Sequence, residues 1–221
     1  MSKDAFWALI QEAKTACGQD LNAMEDYLRE QLVSMGPAAA KKFHDILQTY
    51  EDLADQYGLW DAVSVIKEYG CSDDGFIDFR AWLIAQGKEV YMNALRDPDT
   101  LADIEPYGDC CFECLSYVGD YAYEQLTGRS AYDEMEPDRI EKMRDELKKD
   151  IVYKDGIQYP REPKDLPRFL PRLCEKYGAV THNRARGTHL LEPMKAIVKR
   201  LLDEGKVQDM ATKKEKGGGA R

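Results

Sequence analysis

The stretch Gly70-Cys71-Ser72-Asp73-Asp74-Gly75-Phe76-Ile77-Asp78-Phe79-Arg80-Ala81-Trp82-Leu83-Ile84-Ala85-Gln86-Gly87 decides how this chain is read. Phe76, Phe79 and Leu83, then Val90 and Ala94, recur at helical spacing, and Ile84 and Tyr91 widen the same arc. The spacing predicts one helix from about Gly75 to Leu95, stopped by Asp97-Pro98-Asp99. Asp78, Lys88 and Glu89 fall on its polar side. Arg80, Gln86 and Gly87 break the pattern, because all three fall on or beside the apolar arc. Trp82 sits at the edge of that arc.

An inward arginine keeps its proton, so it needs carboxylate or carbonyl partners. Asp73 and Asp74 stand at the helix start, where negative charge is favoured. One of them can cap the helix. The other is then free to reach Arg80 or a ligand. Gly87 removes a side chain where another group approaches closely. The candidate cluster is therefore Asp73, Asp74, Arg80 and Gln86, with Trp82 and Asp97 beside it. Two readings stand. In one, a buried Asp–Arg pair locks the loop to the helix, and Arg80→Ala would cost ~3 kcal/mol or more by stranding a carboxylate. In the other, the cluster is a small polar pocket in which Arg80 grips an anion and an aspartate binds or activates a group.

Working outward, the same periodicity dominates the chain. Phe6, Leu9, Ile10 and Ala13 form a first stripe. Asp20 caps a second helix carrying Leu21, Met24, Tyr27, Leu28 and Leu32. After Gly36-Pro37 a third buries Phe43, Ile46, Leu47, Tyr50, Leu53 and Ala54, and Gly58 is expected to end it. Trp60, Val63 and Ile66 mark a short fourth helix. A later one is expected from about Cys110 to Gln125, with Cys111, Leu115, Val118 and Ala122 inward. Pro137 to Lys149 reads as a charged helix exposed on most sides, and Ile151 to Gln158 as the one candidate for extended chain. Prolines 160, 163, 167 and 171 form a stiff connection toward Phe169, Leu170, Leu173 and Tyr177. Leu190, Leu191, Met194, Ile197, Val198, Leu201 and Leu202 make a last clean stripe.

The expected fold is all-α: a compact multi-helix domain with C-terminal helices packed back on the N-terminal bundle. Residues 1–127 form the core domain. Residues 128–206 supply the charged helix, the proline-rich connection and the C-terminal amphipathic helix. Residues 207–221 read as a disordered tail.

At 43% apolar residues, the 221-residue chain has material for a real core. It has no apolar run of ~18 residues, so no membrane span is expected. The opening Met-Ser-Lys-Asp-Ala-Phe-Trp lacks an apolar signal segment, which points to the cytoplasm. Six cysteines, at 17, 71, 110, 111, 114 and 174, are then thiols rather than a disulfide framework. The net charge of −10 is uneven. Residues 1–159 hold 16 Lys+Arg against 33 Asp+Glu, or −17, and residues 160–221 hold 15 against 8, or +7. The basic part either docks on the acidic body or meets a phosphate-bearing partner.

The ordered set Phe6-Trp7, Leu59-Trp60, the stretch Gly70–Gly87 and Asp97-Pro98-Asp99-Thr100-Leu101 resembles the bacterial family catalogued as domain of unknown function 4240. The resemblance covers roughly residues 4–125, and Phe169-Leu170-Pro171-Arg172-Leu173 is similar to a less distinctive family feature. It implies a mainly helical bacterial cytoplasmic domain whose common polar positions are Asp73, Asp74, Arg80, Gln86 and Asp97. It implies no activity.

Other constellations are sparse. Cys111 and Cys114 could offer two zinc ligands, but no second clean pair exists, so neither metal nor cofactor is expected. A Cys71–His182 nucleophile pair would depend wholly on folding. No phosphate loop, dinucleotide fingerprint or zinc-protease motif appears. Arg184, Arg186, Lys195, Lys199 and Arg200 form a modest basic patch, too sparse on an acidic chain to favour nucleic acid. The expectation is a binding or regulatory module taking a small polar ligand or a protein partner, as a monomer or weak homodimer. The alternatives are an enzyme using Asp73 and Asp74 for acid/base or metal-assisted chemistry, and a nucleic-acid-associated regulator acting through the basic C-terminal part.

Overall fold

Side-chain caps set several helix starts. In the computed structural model, which describes residues 1–67, 70–154 and 162–178, Ser2 accepts from the Ala5 N–H and opens α1 (Lys3–Cys17). Asp20 does the same for α2 (Leu21–Met35) through the Ala23 N–H. Gly36, at φ 87°, turns the chain into Pro37, the first residue of α3 (Pro37–Leu53). Then come α4 (Tyr57–Ile66), α5 (Asp73–Ala85), α6 (Lys88–Arg96), a 3-10 turn at Pro98–Asp103 and a shorter one at Gly108–Cys110. α7 (Glu113–Thr127) and α8 (Pro137–Lys148) follow, and α9 (Leu166–Phe169) and α10 (Pro171–Tyr177) complete the described α-helices. Among the described residues there is no strand, so the fold is all-α.

The core is organised around α3. α2, α7 and α8 pack along it, and α5 packs against α3 and α7. Phe43, Ile46, Leu47, Tyr50 and Leu53 are buried, and so are His44, Asp45, Thr49 and Glu51. Burial on several sides is why α3 carries polar groups that need partners inside the protein. Tyr50 is the centre of an aromatic cluster with Phe6, Trp7 and Tyr91. Its hydroxyl accepts from Trp7 Nε1 at 3.0 Å, and its carbonyl accepts from Tyr91 OH at 2.7 Å. α1, α3 and α6 are thereby joined by both packing and hydrogen bonds. α7 packs tightly on α3 at Gly119, where an added methyl group would lie 2.8 Å from the His44 backbone nitrogen.

The signature helix is two helices. Gly87 adopts φ 95° and ψ 167°, which ends α5 and starts α6 at an angle. Its glycine therefore serves the backbone turn, and a side chain there would also meet Gln11. Three other boundaries differ from expectation. α3 ends at Leu53, and Gly58 lies inside the first turn of α4. α7 begins at Glu113, so Cys110 and Cys111 precede it. Cys110, rather than Cys111, is the buried member of that pair. Ile151–Lys154 is neither helix nor strand, and the rest of that candidate strand lies outside the described residues.

The C-terminal helices that are described do pack back on the bundle, and α10 lies against α4 and the Pro98–Asp103 turn. The joint is Asp99, a buried carboxylate whose two oxygens accept the N–H groups of Leu173 at 3.0 Å and Arg172 at 3.1 Å. It caps α10 from across the chain. Arg172 pairs with Asp103, and Lys176 with Glu105, at the same joint. The stripe from Leu190 to Leu202, the basic patch at 184–200 and the tail at 207–221 lie outside the described residues.

Candidate functional site

The predicted cluster is distributed over four places. Asp73 and Asp74 are exposed in the first turn of α5, and the cap is Ser72, whose Oγ accepts from Gly75 N–H at 3.1 Å. A serine before the acids fits the cap geometry, so neither carboxylate is drawn inward. Gln86 is buried near Trp82. Its Nε2 donates to the Trp82 carbonyl at 3.1 Å and to Tyr107 OH at 2.9 Å, and its backbone carbonyl accepts from Lys14 at 2.7 Å. Trp82 is fully packed, and its indole N–H has no hydrogen-bond partner among the described residues. Asp97 lies farther along, beyond α6, where Oδ1 accepts from Asp99 N–H and from Lys154 at 2.8 Å.

Arg80 points inward, but toward α3. Its Nη1 donates to the Glu51 carbonyl at 3.2 Å, its guanidinium lies 5.1 Å from the Phe76 ring centre, and Asp55 Oδ2 is 3.7 Å away. Its side chain is only 12% exposed, whereas that of Asp55 is 67% exposed. The strong partner is therefore a backbone carbonyl, and the carboxylate is a solvated one. Arg80→Ala then breaks no direct ion pair with a buried carboxylate. We expect it to cost about 2 kcal/mol, from one charge-assisted hydrogen bond and lost stem packing, measured by urea denaturation. A loss above ~4 kcal/mol would show that a buried carboxylate depends on Arg80 after all.

Arg80 also leads to a polar cluster outside the predicted one. Glu51 is buried on α3, one turn after Leu47 and two after His44. Ser116 Oγ donates to its Oε1 at 2.5 Å, and Gln48 Nε2 donates to its Oε2 at 3.0 Å. Gln48 and Tyr132 also approach the Ser116 carbonyl, at 3.2 and 3.5 Å. Burial pushes the Glu51 carboxyl up to about 7; the Ser116 hydrogen bond and Arg80 oppose this, while Asp52 and Asp78 add to it. The signal in the sequence is the same as for Arg80: a charged residue at i+4 from a core apolar one, Leu47 for Glu51 and Phe76 for Arg80.

Above this cluster the outer side of α7 is exposed. Glu113, Tyr117, Tyr121 and Glu124 share one face, at intervals of four, four and three residues. The Tyr117 and Tyr121 rings stack, with centroids 5.9 Å apart and planes 25° from parallel. Tyr132 is exposed beside them, and Asp52 and Asp78 add acidity from α3 and α5. Such a surface presents ring faces and negative charge together, the combination that attracts cations. Among the described residues, no group of three or more His, Cys, Asp or Glu side chains is arranged to hold a metal. No helix of the described residues is long and apolar enough to cross a membrane.

No curated protein matches this chain, and no solved structure does. A family model described as "Protein of unknown function (DUF4240)" matches residues 1–125, which takes in α1 to α6 and most of α7. The caps, the aromatic cluster and the α3–α7 crossing described above thus fall within the matched segment, and the chain belongs to the DUF4240 family.

Proposed function

We propose that this protein is a binding module whose docking face is the outer side of α7, and that its partner is a protein segment rich in lysine or arginine. The observation that carries the reading is the stacked, exposed Tyr117–Tyr121 pair flanked by Glu113 and Glu124. Exposed aromatic rings are costly to leave in water and make good anchors at interfaces. The acidic frame selects for positive charge and speeds encounter. The −17 balance of residues 1–159 extends that selection over the body. This moves the candidate site away from Asp73, Asp74 and Gln86, with Arg80 acting from below as a support of Glu51. A regulatory role in the cytoplasm, as a monomer or weak homodimer, goes with this reading.

A fluorescent peptide of alternating lysine, arginine and alanine is the probe. Binding should weaken steeply as salt rises. The double variant Tyr117→Ala/Tyr121→Ala should lose about tenfold in affinity, from two cation–ring contacts of ~0.5–1 kcal/mol each. Equal binding by the double variant would rule out this face. The enzyme reading finds more support at Glu51 than at Asp73 and Asp74. Its carboxyl, pushed up to about 7, suits proton transfer at neutral pH, whereas both aspartates are exposed. A nucleic-acid role would rest on residues 184–200, and the same titration with single-stranded DNA tests it.

A further inference from the structure

A second group of reactive side chains lies just before the start of α7. Lys67 closes α4, Cys71 precedes the Ser72 cap, and Cys110 and Cys111 lead into α7. These four meet. Lys67 Nζ is 3.1 Å from Cys111 Sγ. A methyl group on Gly75 would touch both Lys67 Nζ, at 3.6 Å, and Cys71 Sγ, at 3.7 Å, so Cys71 borders the same spot. Cys110 is buried behind them.

The backbone that presents Cys111 is unusual. Gly108, Asp109 and Cys110 take φ values of 57°, 52° and 53°, three left-handed residues in a row. Only the first is glycine. A non-glycine residue in this region is strained, and such strain persists where surrounding structure demands it. Here the turn is held by the Phe112 N–H, which donates to the Asp78 carbonyl at 3.1 Å. The effect is to set Cys111 against the ammonium of Lys67 while leaving it half-buried rather than sealed.

We infer that Cys111, in contact with the Lys67 ammonium, is a nucleophilic site that hydroperoxides oxidise to a sulfenic acid. A neighbouring ammonium favours the thiolate, and the thiolate is the reactive form. In the step, the Cys111 sulfur attacks one peroxide oxygen. The S–O bond forms as the O–O bond breaks, and the departing oxygen takes a proton from water to leave as an alcohol or water. Sulfur gives up two electrons and the peroxide accepts them.

The other thiols lack this arrangement. Burial pushes Cys71 up to about 11 and Cys110 up to about 12, with Lys67 opposing both. Cys114 is exposed, but burial of its sulfur and the adjacent Glu25 carboxylate push it up as well. Exposure alone would make Cys114 the first to react, and the Lys67 contact makes it Cys111. Lys67 itself is raised: burial works against its charge, and Cys111, Cys71 and Cys110 together outweigh that.

The test is mass mapping of the full chain treated with limiting hydrogen peroxide in excess dimedone, alongside iodoacetamide labelling at pH 7. The expected result is a dimedone adduct on Cys111, or a disulfide joining Cys111 to one other cysteine, before any remaining cysteine changes. Iodoacetamide should also label Cys111 first. Lys67→Met should slow both reactions at Cys111 about tenfold, and Lys67→Arg should restore most of the rate by restoring the charge. Should Lys67→Met fail to fold, the order of labelling in the unaltered protein and the Lys67→Arg rate still decide. Reaction beginning at Cys114, no reaction at Cys111, or a Lys67→Met protein that reacts as fast would overturn the inference.

Discussion

Gly119→Ala is expected to destabilise the protein by about 3 kcal/mol, a large effect for one added methyl. By local preference alone the change should help, because alanine gains roughly 1 kcal/mol over glycine inside a helix. Packing reverses the sign. An alanine Cβ at 119 would lie 2.8 Å from both the His44 nitrogen and Cβ, and 2.9 Å from its Cα. Two of these are backbone atoms of a long central helix and cannot turn aside. Relief requires α7 to move off α3, which opens the most extensive helix contact among the described residues. The shift would also stretch the Ser116–Glu51 and Gln48–Ser116 hydrogen bonds, which cross the same joint. Gly75→Ala is the control. Its new methyl would meet Ser72 Oγ at 3.2 Å and the far ends of Lys67 and Cys71, which can yield. Urea midpoints compare the two. A Gly119→Ala loss below ~1 kcal/mol would mean the α3–α7 crossing is loose, and the Glu51 cluster with it.

The helices themselves are legible because their stripes are clean. Phe6 to Ala13, Met24 to Leu32 and Phe43 to Leu53 are buried where helical spacing places them. Three features are hidden for distinct physical reasons. The break at Gly87 preserves apolar spacing on both sides, so periodicity runs through it, and only the φ of 95° reveals the turn. The cap of α5 is Ser72 because the acids that follow it already occupy helical positions, and a pair of aspartates draws attention from the serine before them. Asp99 reads locally as part of a helix stop. Its role is to cap a helix more than seventy residues away, and nothing in the local sequence announces a partner at that distance. The inward phase of Arg80 is readable, but its partner is not. A helical wheel gives the direction of a side chain, whereas the Glu51 carbonyl arrives from tertiary packing. The face we propose as the site lies elsewhere, yet a charge on an apolar arc remains the useful signal and also identifies Glu51.

Two of the buried titratable groups on α3, Glu51 and His44, are expected to oppose each other in acid, and the single variants should expose it. Glu51 has an ordinary value of 4.5 and is raised by burial to about 7. Between these values the folded state holds a proton that the unfolded chain has released. Stability contributed by Glu51 therefore falls as pH rises from about 4.5 to 7. His44 is the reverse. Burial lowers it from 6.5 to about 4, aided by Lys41, with Asp45 and Asp120 opposing. Both its ring nitrogens are buried with no hydrogen-bond partner among the described residues, which suits a neutral ring packed edge-on to Tyr132. Between 4 and 6.5 the unfolded chain holds the extra proton, so the His44 contribution rises with pH. Each group accounts for about 3 kcal/mol over its window. From pH 4.5 to 6.5 the two slopes have opposite signs and nearly equal size, so together they cancel. Glu51→Gln removes one slope, and its stability relative to the unaltered protein should climb by about 3 kcal/mol between pH 4.5 and 7. His44→Phe keeps a ring against Tyr132 and removes the other slope. Its relative stability should fall by a similar amount as pH rises from 4 to 6.5. The measurement is urea denaturation of the three proteins across pH 4 to 8, read as differences so that surface carboxylates drop out. If Glu51→Gln runs parallel to the unaltered protein, the Glu51 carboxyl titrates alike in the folded and unfolded chains. The cluster beneath the tyrosine face would then be wetter than its burial implies, and the case for proton transfer at Glu51 would go with it.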